Sequence, residues 1–260
     1  MDNIKITYIQ TDLCWEDSPV NLEKFERYFE QIKDTHLVIL PEMFNTGFSM
    51  NVKELAQPMH GDLVQWLLSQ SKKFNFTIIG SAIIKDSEKY YNRLLMVSPN
   101  GVINCYDKHH LFRMGKEDEN FDAGMRMEIF NHLGWRIRPL ICYDLRFPIW
   151  SRNRSNYDML IYVANWPAAR HEVWKTLLKA RAIENQCYVV GVNRIGTDGM
   201  NISYSGDSVV IDAKGNVVSE IAKNCEGFNT ISLLLSELQN FREKFPVHLD
   251  ADDFRLMGID

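Results

Sequence analysis

The stretch Leu37-Val38-Ile39-Leu40-Pro41-Glu42 decides how this chain is read. Four consecutive apolar residues stopped by a proline mark a short strand buried on both faces. A carboxylate follows its C-terminal end. Upstream, residues 4–9 alternate as a strand does, and Leu22, Phe25, Tyr28, Phe29 and Ile32 recur at helical spacing. Downstream, Leu63, Val64, Trp66, Leu67 and Leu68 predict a second helix, with Asp62 as its candidate cap. Residues 77–84, 91–97 and 102–106 read as strands, the last two joined by the hairpin turn Ser98-Pro99-Asn100-Gly101. The second half has the same character. Strands are predicted at 137–141, 159–163 and 187–192, with a helix over 173–183 and a short helix opened by Pro148. Residues 208–211 and 217–221 flank the turn Asp212-Ala213-Lys214-Gly215-Asn216. One more strand, a helix over 236–244 and a tail follow Asn229. Strands alternating with helices, with hairpins between, predict a mixed α/β layered fold. Without repeats or a Pro/Gly/Ser linker, residues 1–260 read as one domain.

At 260 residues such a domain buries roughly three quarters of its unfolded surface and needs no staple. The charge is −5 and no basic run appears, so nucleic acid is not an expected partner. The N-terminus lacks the pattern of a secretory signal, and no apolar run approaches the roughly 18 residues of a membrane span. The expectation is a cytoplasmic protein without a membrane partner. Cys14, Cys105, Cys142, Cys187 and Cys225 form no Cys-x-x-Cys pair and no zinc-ligand spacing. No metal is expected, and a reducing cytosol disfavours disulfides.

Three reactive side chains share one context. Glu42 follows residues 37–41, Lys108 follows residues 102–107, and Cys142 follows residues 137–141. Each closes an apolar strand, where α/β sheets place their sites. The trio suits attack on an amide. Thiolate is the attacking form of sulfur, so a base must take the thiol proton. Glu42 can take it and pass it to the departing nitrogen. Lys108 and a backbone N–H near Tyr143 can stabilise the oxyanion. No cofactor is required. Taken singly, each residue also has a bland role: a core cysteine, a helix-start carboxylate, a surface lysine.

The longer phrases carry more. Leu40-Pro41-Glu42-Met43-Phe44, Tyr106-Asp107-Lys108-His109-His110-Leu111-Phe112 and Ile141-Cys142-Tyr143-Asp144-Leu145-Arg146-Phe147-Pro148 together resemble the nitrilase superfamily of carbon–nitrogen hydrolases. So do residues 162–167 and 180–186, and Gly206-Asp207-Ser208. The resemblance implies a four-layer αββα sandwich of two mixed sheets with helices outside. It implies a triad mapping onto Glu42, Lys108 and Cys142, and a second acidic residue, for which Glu117 fits and Glu119 competes. It implies homodimers or larger assemblies, with the tail 245–260 at a subunit interface. Leu111-Phe112-Arg113-Met114 and Asn165-Trp166-Pro167 look like omega-amidases, which hydrolyse the terminal amide of 2-oxo acid amides such as 2-oxoglutaramate and 2-oxosuccinamate. Such substrates need a cationic pocket. Arg113 and Arg170 are its candidates, with Phe44, Phe48, Tyr143 and Trp166 lining the site. Asp144 and Arg146 are expected to orient the loop after Cys142 instead.

Three other readings stand beside this one. A Cys–His hydrolase would use His109, His110 or His171 as base. A binding protein could keep the fold without the chemistry. A different activity of the same superfamily (aliphatic amidase, N-carbamoyl amino acid hydrolase or nitrilase) would differ only in pocket shape.

Overall fold

The computed structural model describes residues 1–154 and 156–257. The first half runs β1 (Asn3–Gln10), α1 (Ser18–Gln31), β2 (Leu37–Ile39), α2 (Val52–Leu55), β3 (Gln57–Pro58) and α3 (Asp62–Phe74). An antiparallel meander follows: β4 (Thr77–Asp86), β5 (Lys89–Val97) and β6 (Ile103–Asp107). After the one-turn helix α4 (Glu117–Asn120) come β7 (Phe130–His132), β8 (Trp135–Ile141), β9 (Met159–Ala164), α5 (His171–Asn185) and β10 (Tyr188–Asn193). The chain closes with β11 (Ile195–Thr197), β12 (Ser203–Ser205), β13 (Val209–Ile211), β14 (Val217–Glu220), β15 (Gly227–Leu234) and α6 (Leu235–Lys244). One sheet has the order β15-β1-β2-β4-β5-β6, with β3 beside β4. The other has the order β14-β13-β10-β9-β8-β7, and β11 and β12 form a separate ribbon.

The layering follows from strands that are apolar on both faces. Leu37 and Ile39 join Ile6, Tyr8, Ile79, Leu94 and Met96 in the core shared with Ile137, Leu140 and Ile161 of the second sheet. Val38 and Leu40 join Ile9, Ile78 and Leu95 against Phe25 and Phe29 of α1 and Leu63 and Leu67 of α3. Neighbouring side chains thus point alternately at the facing sheet and at the helices. On the far side, α5 lays Trp174 and Leu178 on β10, so closely that a Cβ on Gly191 would meet Leu178 at 2.4 Å. The architecture is the αββα sandwich that the family resemblance implied. Among the described residues, no helix is long and apolar enough to cross a membrane.

Some local expectations change. Residues 148–151 form turns, and the helical segment instead begins earlier, as a 3-10 turn over Cys142–Arg146. Asp144 decides this, because its carboxylate accepts the Ile141 N–H at 3.0 Å and closes the turn back on the strand. Asp62 is the first residue of α3, behind a Gly61 cap, and places its charge at the helix N-terminus.

Candidate active site

β2, β6 and β8 all end at one edge of the sandwich. The start of β5, which runs antiparallel to β4 and β6, lies there too. Two backbone reversals turn the candidate residues inward. Met43 has φ +44° and Cys142 has φ +42°, a region that costs a non-glycine residue about 1–2 kcal/mol. The Ser81 hydroxyl accepts the Met43 N–H at 2.9 Å, and the Ser81 carbonyl accepts that of Phe44 at 3.1 Å. The chain leaving β2 is held at the bend.

Glu42, Lys108, Glu117 and Cys142 meet there. Lys108 Nζ donates to Glu42 Oε1 at 2.9 Å and to Glu117 Oε1 at 3.0 Å. Glu42 Oε2 accepts the Asn165 backbone N–H at 2.7 Å, and Glu117 Oε2 accepts that of Phe112 at 2.7 Å. The Cys142 thiol hydrogen-bonds with Glu42 and reaches the Asn165 carbonyl at 3.8 Å. Cys142 is 9% exposed, and Glu42, Glu117 and Lys108 are sealed. Of the two competing acids, the structure brings Glu117 to Lys108 and leaves Glu119 exposed.

The electrostatics follow from burial and neighbours. Burial works against the Lys108 charge, but Glu117 and Glu42 outweigh it and raise its pKa. Burial raises the Glu117 pKa, partly offset by Lys108. Burial also pushes the Cys142 thiol well above its ordinary value, and the Glu42 carboxylate adds to that push against the opposing pull of Lys108. The resting sulfur is therefore a protonated thiol.

The loop after Cys142 is tied to the loop after Lys108 by one carboxylate. Asp144 accepts from Ile141 N, from the Tyr106 hydroxyl at 2.8 Å and from His110 N at 3.0 Å, and contacts His110 Nδ1 at 2.8 Å. Asp144 thus orients the loop, but its partners are His110 and Tyr106 and not Arg146. His110 also stacks on Phe147, and His109 stacks on Trp150 while its Nδ1 meets the Gly124 carbonyl.

The predicted lining residues divide. Phe48 holds its ring 5.3 Å from Lys108 Nζ. Tyr143 packs edge-on against Phe112 and Phe147. Asn193 grips both sides of the Trp166 backbone, taking its N–H at 2.8 Å and donating to its carbonyl at 3.0 Å. Asn193 is itself held by the Gly206 carbonyl and the Ser208 hydroxyl. Arg170 lies over the Phe112 ring at 5.5 Å. Two predictions need correction. Phe44 is buried between Phe25 and Trp66 in the helix layer, away from the thiol. Arg113 points outward, its side chain 85% exposed and paired with Asp118.

Asn92 escaped the sequence reading, and Arg146 and Asn165, which it named, make contacts it did not foresee. Arg146 stacks over Trp166 at 5.0 Å, and among the described residues neither it nor Arg170 has an ion-pair partner. Asn165 links Glu42 to Cys142. Asn92 donates from Nδ2 to Glu42 Oε1 at 2.8 Å and to Glu117 Oε1 at 3.1 Å. The sequence signal for Asn92 was faint, because Lys89 and Arg93 of the same strand are polar too.

A buried acid–lysine–acid cluster against a thiol, at the strand ends of an αββα sandwich, defines a class, and the comparisons with known proteins agree. The carbon–nitrogen hydrolase family model matches residues 5–243. The chain belongs to the carbon–nitrogen hydrolase family, in the nitrilase superfamily. Within it, the chain is an omega-amidase-like amidase. It is 45% identical to omega-amidase YafV of Escherichia coli K12, over 98% of this chain and all of that one. It is 34% identical to 2-oxoglutaramate amidase of Bacillus subtilis, over 96% of this chain and 97% of the relative. The solved structure of XC1258 from Xanthomonas campestris, a CN-hydrolase superfamily protein carrying an arsenic adduct in its active site, superposes with a TM-score of 0.95. It is 40% identical and covers 98% of this chain and all of that one.

Proposed function

We propose that this amidase hydrolyses the terminal amide of small 2-oxo acid amides, 2-oxoglutaramate and 2-oxosuccinamate, through a thioester on Cys142. Glu42 takes the thiol proton as sulfur attacks the amide carbon. The oxyanion is held by the remaining Lys108 N–H and by the Tyr143 backbone N–H, which opens the 3-10 turn where such groups lack an intrahelical partner. Glu42 returns the proton to nitrogen, ammonia leaves, and the acyl group stays on sulfur. Water then attacks, giving its proton to Glu42, and the acid departs as the proton returns to the Cys142 sulfur. Glu117 keeps Lys108 charged and aimed.

The observation that carries this reading is geometric: Lys108 Nζ lies 2.9 Å from both Glu42 and Glu117, and the Cys142 thiol sits against that buried cluster. The substrate class is supported by the relatives' names and by the two rim guanidiniums. Arg146 and Arg170 sit on aromatic faces without carboxylate partners, ready for the carboxylate end of the substrate. Phe48, Phe112 and Trp166 confine it. We further propose that the tail from Phe245 onward packs on a second copy of the chain, since Phe245, Leu249 and Met257 stand exposed on it.

The test is a substrate panel. Ammonia release from 2-oxoglutaramate and 2-oxosuccinamate is compared with turnover of nitriles, N-carbamoyl amino acids and unsubstituted aliphatic amides. The acyl-enzyme is trapped by mass spectrometry. A preference for any of the other classes, or an acyl mass on a residue other than Cys142, overturns the proposal.

A further inference from the structure

Asn92 touches three of the four clustered residues. Its Nδ2 group donates to Glu42 Oε1 and Glu117 Oε1, and its backbone carbonyl accepts the Lys108 N–H at 3.0 Å. It sits in β5 opposite Ile83, fully buried. Because both side-chain contacts are carboxylate oxygens, the atom facing them is the NH2 group, which has two hydrogens to share. The other end, Oδ1, is buried and has no hydrogen-bond partner among the described residues. A buried orphan acceptor is costly, and leucine or valine would avoid that cost at this buried position. The amide is kept where it has work to do at its other end.

We propose that Asn92 is a positioning residue for the acid–base chemistry: its one amide, shared between Glu42 and Glu117, fixes the Glu42 carboxylate toward Cys142. This rests on reading Glu42 as the base. The groups facing Glu42 are Lys108 at the end of β6, Glu117 on α4 and Cys142 after β8. Lys108 alone must balance two carboxylates. A neutral donor between them lowers the charge each presents to the other without adding a second cation. An aspartate at position 92 would add a third acid. An apolar residue would leave two carboxylate oxygens one donor short and remove a hydrogen bond that favours the charged cluster.

Three variants test this: N92A, N92D and E42Q. Alkylation of Cys142 by iodoacetamide and kcat/KM for 2-oxoglutaramate are each followed against pH. In N92A the acidic limb of both profiles moves upward by about one pH unit, the size expected for losing one charge-assisted hydrogen bond. The kcat falls about tenfold at pH 7 by the same reckoning, with KM little changed. N92D, which keeps the size and shape, moves the limb further in the same direction, and it decides the matter if N92A does not fold. A folded variant with lower thermal stability but an unmoved limb shows a purely structural amide and overturns the inference. E42Q separates the two ideas. If E42Q keeps turnover and its alkylation profile, the base assignment itself fails. If E42Q is inactive while the limb of the Asn92 variants stays put, only this inference fails.

Discussion

Lys108 is the residue on which the buried charges depend. Among the described residues it is the one cation that faces Glu42 and Glu117, both sealed from water. Lys108→Ala leaves two buried carboxylates without their cation, so we expect a stability loss of about 3–5 kcal/mol as well as lost turnover. Loss of the oxyanion donor slows kcat by about 100- to 1,000-fold. The sign of the pH effect separates the two. Without the lysine the folded-state carboxylate pKa values rise, so the variant gains on the wild type as pH falls and loses most as pH rises. Urea unfolding of both proteins between pH 4 and pH 8 reads this directly, and a pH-independent gap refutes it. At the rim, Arg146→Met and Arg170→Met are expected to raise KM for 2-oxoglutaramate about tenfold or more each, the worth of a charge-assisted contact. KM for a neutral aliphatic amide should hardly change. Equal effects on both substrates would assign the guanidiniums to packing. The four clustered side chains were nameable from sequence phrases. The lining was less so, and Phe44 shows why. Had the strand continued past Pro41, Glu42 and Phe44, two residues apart, would share a face. The positive φ of Met43 breaks that parity and sends the ring to the helices.

At the scale of elements, the strands and long helices were readable because their apolar periods of 2 and 3.6 persist over several residues. The one-turn helices α2 and α4, the ribbon β11–β12 and the 3-10 turn after Cys142 are too short to show a period. Their form is set by partners elsewhere, as Asp144 sets the turn through Ile141, Tyr106 and His110. Phe44 couples α1 and α3 to the first sheet through Phe25 and Trp66. Phe44→Ala should cost about 3–5 kcal/mol by leaving a cavity, with KM unchanged in the folded enzyme. Phe48→Ala, by contrast, should change KM with a small effect on stability. Calorimetry and steady-state kinetics on the pair check the division. A KM effect in the Phe44 variant would return that ring to the pocket.

Across the whole molecule, Asp158 joins the start of β9 to β8 and α6. Its carboxylate accepts from Arg136 Nη2 at 2.7 Å and from Arg242 Nη1 at 2.9 Å. Burial opposes its charge, but hydrogen bonds from Arg136 and the nearby charges of Arg136 and Arg242 outweigh it and hold its pKa below the ordinary value of 3.8. A carboxylate with a depressed folded-state pKa contributes stability that is complete above its unfolded value and lost as pH falls through the folded one. Asp158→Asn should therefore be less stable at pH 7 by about 2 kcal/mol, and the gap should close on acidification below about pH 4. Chemical denaturation across that range checks it, and a gap that persists at pH 3 would contradict it. The family resemblance supplied the four-layer arrangement and Glu117; the sequence by itself determined the mixed α/β character, the strand ends that carry chemistry and the candidate trio of Cys142, Glu42 and Lys108. These are properties of local pattern and of residue chemistry. Tertiary structure decided which side chains share the pocket. Asn92, Asn165 and Arg146 join it from strands and turns far apart in the chain, while Arg113 leaves for solvent and Phe44 for the core. The physical reason is that a side chain's surroundings depend on the register of two sheets and on two backbone reversals, and neither leaves a periodic trace in the residues themselves.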